Sequence, residues 1–207
     1  MVVLMGRWPV LGEGKSRLAA EVGSKKAHEV HQALFANALR VFEKNPKGCV
    51  FAMTGERPEV VTESLKPLPV IAQRGENLGV RMLNALRDAA DLINWRGPSA
   101  VVGTDLPALT LGHVLRAEAA IAGGADAAVV PAVDGGFGLM MMRDWPAGLW
   151  PADMTWGTHR VWLDTQQLLQ AKNLSWWADS PVADIDEWSD WVEFCEKHPN
   201  FARYGSI

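Results

Sequence analysis

Between Arg7 and Leu18 the chain reads RWPVLGEGKSRL, which sets three cations, Arg7, Lys15 and Arg17, within eleven residues. Gly14-Lys15-Ser16 is also how a phosphate-gripping Walker A loop, Gly-x-x-x-x-Gly-Lys-Ser/Thr, ends. The first glycine of that pattern would fall on Pro9, and proline has a fixed φ and no N–H to aim at a phosphate. What survives is a glycine-bearing loop, with Gly12 and Gly14, whose cations converge near the start of a helix, where free backbone N–H groups also favour anions. That combination predicts a phosphate site of a different kind.

Acids that could face such a site come later in the chain. Asp105 follows the apolar run Ala100-Val101-Val102-Gly103 and precedes Leu106-Pro107. From there a carboxylate can sit beside bound phosphates and hold Mg2+ or Mn2+, ions that take hard oxygen ligands. Asp184-Ile185-Asp186 puts two carboxylates on alternate residues of an extended run, so both can approach one ion. Asp186 also suits the N-cap of a helix starting at Glu187. Val133-Asp134-Gly135-Gly136-Phe137 joins an acid to a glycine pair, and glycines let backbone pass close to a ligand. His28 and His31, three apart on a helix, could share a metal but have no evident third ligand, while Asp88 and Asp91 read as solvated helix positions.

The hydrophobic pattern supplies the scaffold for these residues. Val2 to Met5, Cys49 to Met53, Val70 to Gln73 and Ala100 to Gly103 are short apolar runs, each stopped by a turn signal or a polar residue, as buried strands are. Between them lie a helical pattern from Ser24, as N-cap, to Lys44, a helical stretch near Glu59 to Leu65, and an amphipathic helix carrying Leu78, Met82, Leu86, Ala89 and Ile93. This alternation predicts a three-layer α/β/α fold with a mostly parallel central sheet and ligands at the carboxyl ends of its strands. Ala127 to Ala132 and Phe137 to Met142, joined by Val133 to Gly136, predict at least one antiparallel strand. Helices from about Thr158 to Lys172 and from Glu187 to Lys197 complete the set.

The chain has 207 residues, 48% of them hydrophobic, which suits a single domain spanning 1–207. A net charge of -4 with a pI near 5.7 gives no field to draw the protein onto nucleic acid or anionic lipid, so anions must be met locally. No apolar segment approaches the ~20 residues needed to span a bilayer, and MVVLMGRWP does not read as a signal peptide. Cys49 and Cys195 have no metal-ligand spacing. Together these features lead us to expect a cytoplasmic protein. Eight of the ten tryptophans fall between Trp145 and Trp191, where they cap a core or wall a binding site, Trp156 or the Trp176-Trp177 pair in the latter case.

Taken together, the motifs resemble a bacterial family of GT-A-fold, glycosyltransferase-like proteins of unassigned substrate, associated by name with radical-SAM or selenium-related genes. The family is more distantly similar to 2-phospholactate guanylyltransferase and molybdenum-cofactor guanylyltransferase. Its opening pattern, Arg-x-Pro-x-x-Gly-x-x-Lys-Thr-Arg-Leu, is met by Arg7, Pro9, Gly12, Lys15, Arg17 and Leu18, with Ser16 in place of threonine. Its Gly-x-Asp-Leu-Gly-x-Arg-Met is met by Gly75, Leu78, Gly79, Arg81 and Met82, with Asn77 replacing the acid. Gly103-Thr104-Asp105-Leu106-Pro107, Asp134-Gly135-Gly136-Phe137 (tyrosine in the family) and Asp184-Ile185-Asp186 follow in order.

The resemblance implies that Arg7, Pro9, Gly12, Lys15, Ser16, Arg17, Gly75, Arg81, Gly103 and Thr104 hold a nucleotide, with Lys15 and Arg17 on its phosphates. Asp105, with Asp184 or Asp186, would bind Mg2+ or Mn2+. Asp134, Gly135, Gly136 and Phe137 would lie along the donor or the acceptor. The catalytic candidates are Asp105, Lys15 and Asp134, and Glu187 is a second choice after Asp134 for a general base. The implied reaction is glycosyl transfer from a nucleotide sugar to a small-molecule acceptor. The alternatives are nucleotidyl transfer from a nucleoside triphosphate to a small phosphorylated acceptor, and a non-catalytic nucleotide-binding module.

Overall fold

Seven strands, Val2–Arg7 (β1), Cys49–Thr54 (β2), Val70–Ala72 (β3), Ser99–Gly103 (β4), Ala127–Pro131 (β5), Phe137–Met142 (β6) and Trp176–Ala178 (β7), form one sheet in the computed structural model of the chain. The structure describes residues 1–45, 47–55, 63 and 65–201, so the helical stretch expected near Glu59 to Leu65 lies almost wholly outside the described residues. The strand order is β3-β2-β1-β4-β6-β5-β7. β1 pairs parallel with β2 and β4, β2 with β3, and β5 with β7, while β6 runs antiparallel to both β4 and β5. The antiparallel strand anticipated around Val133 to Gly136 is therefore β6, the second arm of a hairpin.

Helices cover both faces. On one side lie Ser16–Phe42 (α1) and Leu111–Ala122 (α3); on the other are Leu78–Leu92 (α2) and Val161–Ala171 (α4). Trp188–Lys197 (α5) packs through Trp191 and Cys195 against Leu18, Ala27, Val30 and Leu34 of α1. Strands buried on both sides must be apolar at consecutive positions rather than at alternate ones. Val2 and Leu4 accordingly enter the core beneath α1 and α3, and Met1 and Val3 enter the core beneath α2, all fully buried.

Several element boundaries differ from the sequence reading for local physical reasons. α1 begins at Ser16, earlier than expected, and is broken at Gly23, whose φ of 83° and ψ of 156° are not helical. The expected start at Ser24 marks this kink. α3 and β7 lie beyond the elements that the pattern singled out. α5 is capped by Glu187 in a reciprocal box with Asp190, whose carboxylate accepts the N–H of both Glu187 and Asp186. The cap is therefore Glu187 rather than Asp186, and the Asp186 carboxylate stays available for other partners.

Most of the tryptophans serve the core. Trp145, Trp150, Trp162 and Trp176 pack in the layer beneath α2 and α4, and Trp177 packs on the opposite face. Trp150 donates to Thr165 Oγ1 at 3.1 Å, which satisfies the one polar group of a buried ring. Burial pushes the Cys49 thiol up to about 12, leaving it a small core hydrophobe.

Candidate nucleotide and acceptor site

The sheet changes direction between β1 and β4, because the chain continues from β1 to β2 on one side and returns to β4 on the other. In open α/β sheets the crevice at that point, at the strands' carboxyl ends, is where ligands bind. Two clefts open there. One, of about 360 Å³, is lined by Arg7, Gly14, Lys15, Ser16, Arg17, Gly103, Thr104, Asp105 and Asp186, among others. The second, of about 320 Å³, extends over β6 and is lined by Leu78, Met82, Asp134, Phe137, Trp156 and Asp184. Asp105 and Asp186 line both.

Positive φ at Gly12 (86°), Gly14 (71°) and Lys15 (45°) curls the β1–α1 loop over the first cleft. Lys15, the residue before α1, holds a left-handed conformation that costs a non-glycine residue roughly 1–3 kcal/mol, and such strain gathers at ligand clamps. Its Nζ lies 3.2 Å from Asp105 Oδ1 and 3.2 Å from Asp186 Oδ1, and donates to Ile185 O at 2.6 Å. Arg17 Nη1 reaches Asp186 Oδ2 at 3.5 Å, and Arg7 pairs with Glu13 at 3.1 Å. The Lys15 side chain is only 7% exposed, against 45% for Asp105 and 43% for Asp186. The ammonium is sheathed, and both carboxylates are open to ligand. A backbone bond from Ile185 N–H to Asp105 O at 3.1 Å ties the two acidic segments together.

The acids thus divide by location. Asp105 and Asp186 converge on one cation, whereas Asp184 sits in the second cleft beside Asp134. Burial first, and the Asp134 carboxylate next, push the Asp184 carboxyl up to about 6. Asp134 Oδ1 accepts the Gly136 N–H at 2.8 Å, fixing the hairpin turn. Glu187 lines neither cleft, its side chain being engaged in the α5 cap.

A divalent ion fits the Asp105–Asp186 pair. Among the described residues no three His, Cys, Asp or Glu side chains form a common ion site. Mg2+, however, is usually held by one or two carboxylates completed by substrate phosphates and water. Two partly exposed carboxylates already placed around a cation, beside a cationic cleft, match that donor set.

Other candidates fall outside the clefts. Gly75 and Arg81 are braced together, Arg81 Nε donating to Gly75 O at 3.0 Å, and neither lines a cleft. Pro9 and Gly12 shape the β1–α1 loop without lining it. Gly135 is held by packing: a Cβ there would collide with the His159 carbonyl, and its own carbonyl accepts the Trp162 N–H at 2.8 Å. Asn77 caps α2, accepting the Val80 N–H at 3.0 Å, a role asparagine and aspartate share.

Side chains that the sequence did not single out also line the clefts. Met5, Leu106, Thr158 and Val161 join the second. His31, read from the sequence only as half of a metal pair with His28, lines the first cleft against Gly14; its Nδ1 is buried without a partner among the described residues, and burial lowers its pKa.

The fold is that of nucleotide-diphospho-sugar transferases and nucleotidyltransferases. It superposes on a protein from Desulfovibrio desulfuricans G20, assigned by name to the nucleotide-diphospho-sugar transferases, with a TM-score of 0.86 at 23% identity, covering 98% of this chain and 90% of that one. A nucleotidyl transferase from Methanothermobacter aligns with a TM-score of 0.61 at 16% identity over 98% of each chain. CMP:2-keto-3-deoxy-manno-octonic acid synthetase complexed with CTP aligns at 0.57 with 9% identity, over 96% of this chain and 98% of that one. Residues 37–158 match the model of the family DUF2064, described as an uncharacterized protein conserved in bacteria, and the chain belongs to that family. Comparison with curated proteins returned no match. Among the described residues no helix is long and apolar enough to cross a membrane.

Proposed function

We propose that this protein is a nucleotide-binding transferase that moves a glycosyl group from a nucleotide-diphospho-sugar to a small acceptor. The observation that carries this reading is the meeting of two unlike clefts at Asp105, one lined by Arg7, Lys15 and Arg17 and the other by apolar and acidic side chains. The first suits a diphosphate, with Lys15 and Arg17 exchanging their carboxylate partners for phosphate oxygens. Asp105 and Asp186 would hold Mg2+ or Mn2+, which when bound neutralises charge on the departing diphosphate. Asp134 and Asp184 stand where an acceptor hydroxyl would enter, and either carboxylate can take its proton.

The cation triad also suits a triphosphate, which supports nucleotidyl transfer as a second reading. Incubation with Mn2+ and a panel of nucleotide sugars and nucleoside triphosphates separates the two. Release of nucleoside diphosphate from a nucleotide sugar supports glycosyl transfer. Release of pyrophosphate from a triphosphate supports the second reading instead.

A further inference from the structure

Building on that reading, we propose that the acceptor is an uncharged hydroxyl compound with a flat apolar body, and not a phosphorylated one. The second cleft carries four carboxylates, Asp105, Asp134, Asp184 and Asp186, and among the described residues no Lys, Arg or His lines it. Every cation of the site faces the other cleft. Lys15 and Arg17 balance Asp105 and Asp186, whereas Asp134 and Asp184 have no ion-pair partner among the described residues, and a phosphate brought beside those two meets like charge.

Thr158 apart, the remaining side chains of the wall are apolar. Leu78 and Met82 of α2, Val101 and Val102 of β4, and Phe137 and Trp156 complete it. The aromatic side is stiff: Phe137 stacks on Trp150 with ring centroids 6.1 Å apart and planes at 12°, and Trp150 meets Trp156 edge-on at 5.5 Å. Asn77, Gly79 and the Trp150–Trp156 pair lock this wall to the start of α2, since a Cβ on Gly79 would lie 2.9 Å from Trp156 and 3.0 Å from Trp150. The Trp156 indole N–H is buried and, among the described residues, has no acceptor. A flat hydrocarbon body lies against this wall while its hydroxyl meets Asp134 and Asp184. In the transfer, the acceptor O–H proton passes to one of these carboxylates as the oxygen bonds to the anomeric carbon of the sugar. The bond from that carbon to the diphosphate oxygen breaks, and its electron pair leaves with the nucleoside diphosphate.

The test compares naphthol with naphthyl phosphate by fluorescence titration of the full chain, with and without saturating nucleoside diphosphate and Mn2+. Naphthol should bind at least about tenfold more tightly than its phosphate ester, in both conditions. Phe137→Ala and Trp156→Ala should each weaken it at least about fivefold, the second variant guarding against misfolding of the first. Equal or tighter binding of the phosphate ester overturns the proposal, as does failure of naphthol to bind. Displacement of naphthol by the nucleoside diphosphate also overturns it, by assigning the apolar cleft to the base. Failure of nucleoside diphosphates to bind at all, with the naphthol preference intact, counts against the nucleotide reading and leaves the charge preference of the cleft standing.

Discussion

Lys15 Nζ stands 3.2 Å from Asp105 Oδ1 and 3.2 Å from Asp186 Oδ1. A buried ammonium here occupies the point on which two half-exposed carboxylates converge. Under the proposed function a ligand phosphate would draw that ammonium away, and the carboxylates would then be free to take a divalent ion. Lys15→Met should weaken nucleoside diphosphate binding about tenfold to a hundredfold, the worth of a charged hydrogen bond at ~1.5–3 kcal/mol. The same variant should raise Mn2+ affinity in the absence of nucleotide, because the competing cation is gone. Calorimetry of Mn2+ alone and of nucleotide alone checks both; a fall in Mn2+ affinity would contradict the arrangement.

Asp184 links the second cleft to stability. Its carboxyl is raised from 3.8 to about 6 by burial and by Asp134, so the folded chain holds this proton more tightly than the unfolded one. Its contribution to stability is fully present below 3.8 and is lost as pH rises through about 6. Asp184→Asn should therefore raise Tm more above pH 6 than below pH 3.8. A gain independent of pH across that window would show that the carboxylate is not strained in the fold.

Gly135 should be intolerant for reasons of packing. A Cβ there collides with the His159 carbonyl, and the φ of 91° disfavours any other residue. Gly135→Ala should cost about 1–3 kcal/mol in denaturant titrations, the usual range for overpacking. An unchanged midpoint would mean that the 157–160 segment before α4 shifts freely.

Asn77 is where the chain departs from the acid that the resembled family carries, and its side chain works as a helix cap. Asn77→Asp should keep the cap and leave Tm within a degree or two, while Asn77→Ala should cost about 1 kcal/mol. Neither should alter nucleotide affinity, because Asn77 lines neither cleft.

Local chemistry was legible in the sequence, and juxtaposition was not. Unbroken apolar runs announced six of the seven strands because burial on both faces demands them, but β7 has three residues and exists through its pairing with Ala127 to Val129. Helix α3 carries a readable stripe, Val114, Ala117 and Ile121, that the strand-centred reading passed over. The cations of RWPVLGEGKSRL and the distant acids could be named from spacing alone. That Lys15 pairs with Asp105 and Asp186, while Asp184 turns to Asp134, depends on Ile185 hydrogen-bonding to Asp105 across the sheet end. The apolar cleft draws on β1, α2, β4, β6 and the loop at Trp156, so no contiguous motif could reveal it.

Under the proposed function, Asp105 joins a metal-assisted phosphate cleft to an acceptor cleft. Calorimetric titration of nucleoside diphosphates into the wild-type chain and into Asp105→Ala, each with and without Mn2+, tests it most directly. Mn2+ should tighten binding to the wild type by at least about tenfold and leave Asp105→Ala unaffected. Binding equally tight in both proteins and indifferent to Mn2+ would contradict it.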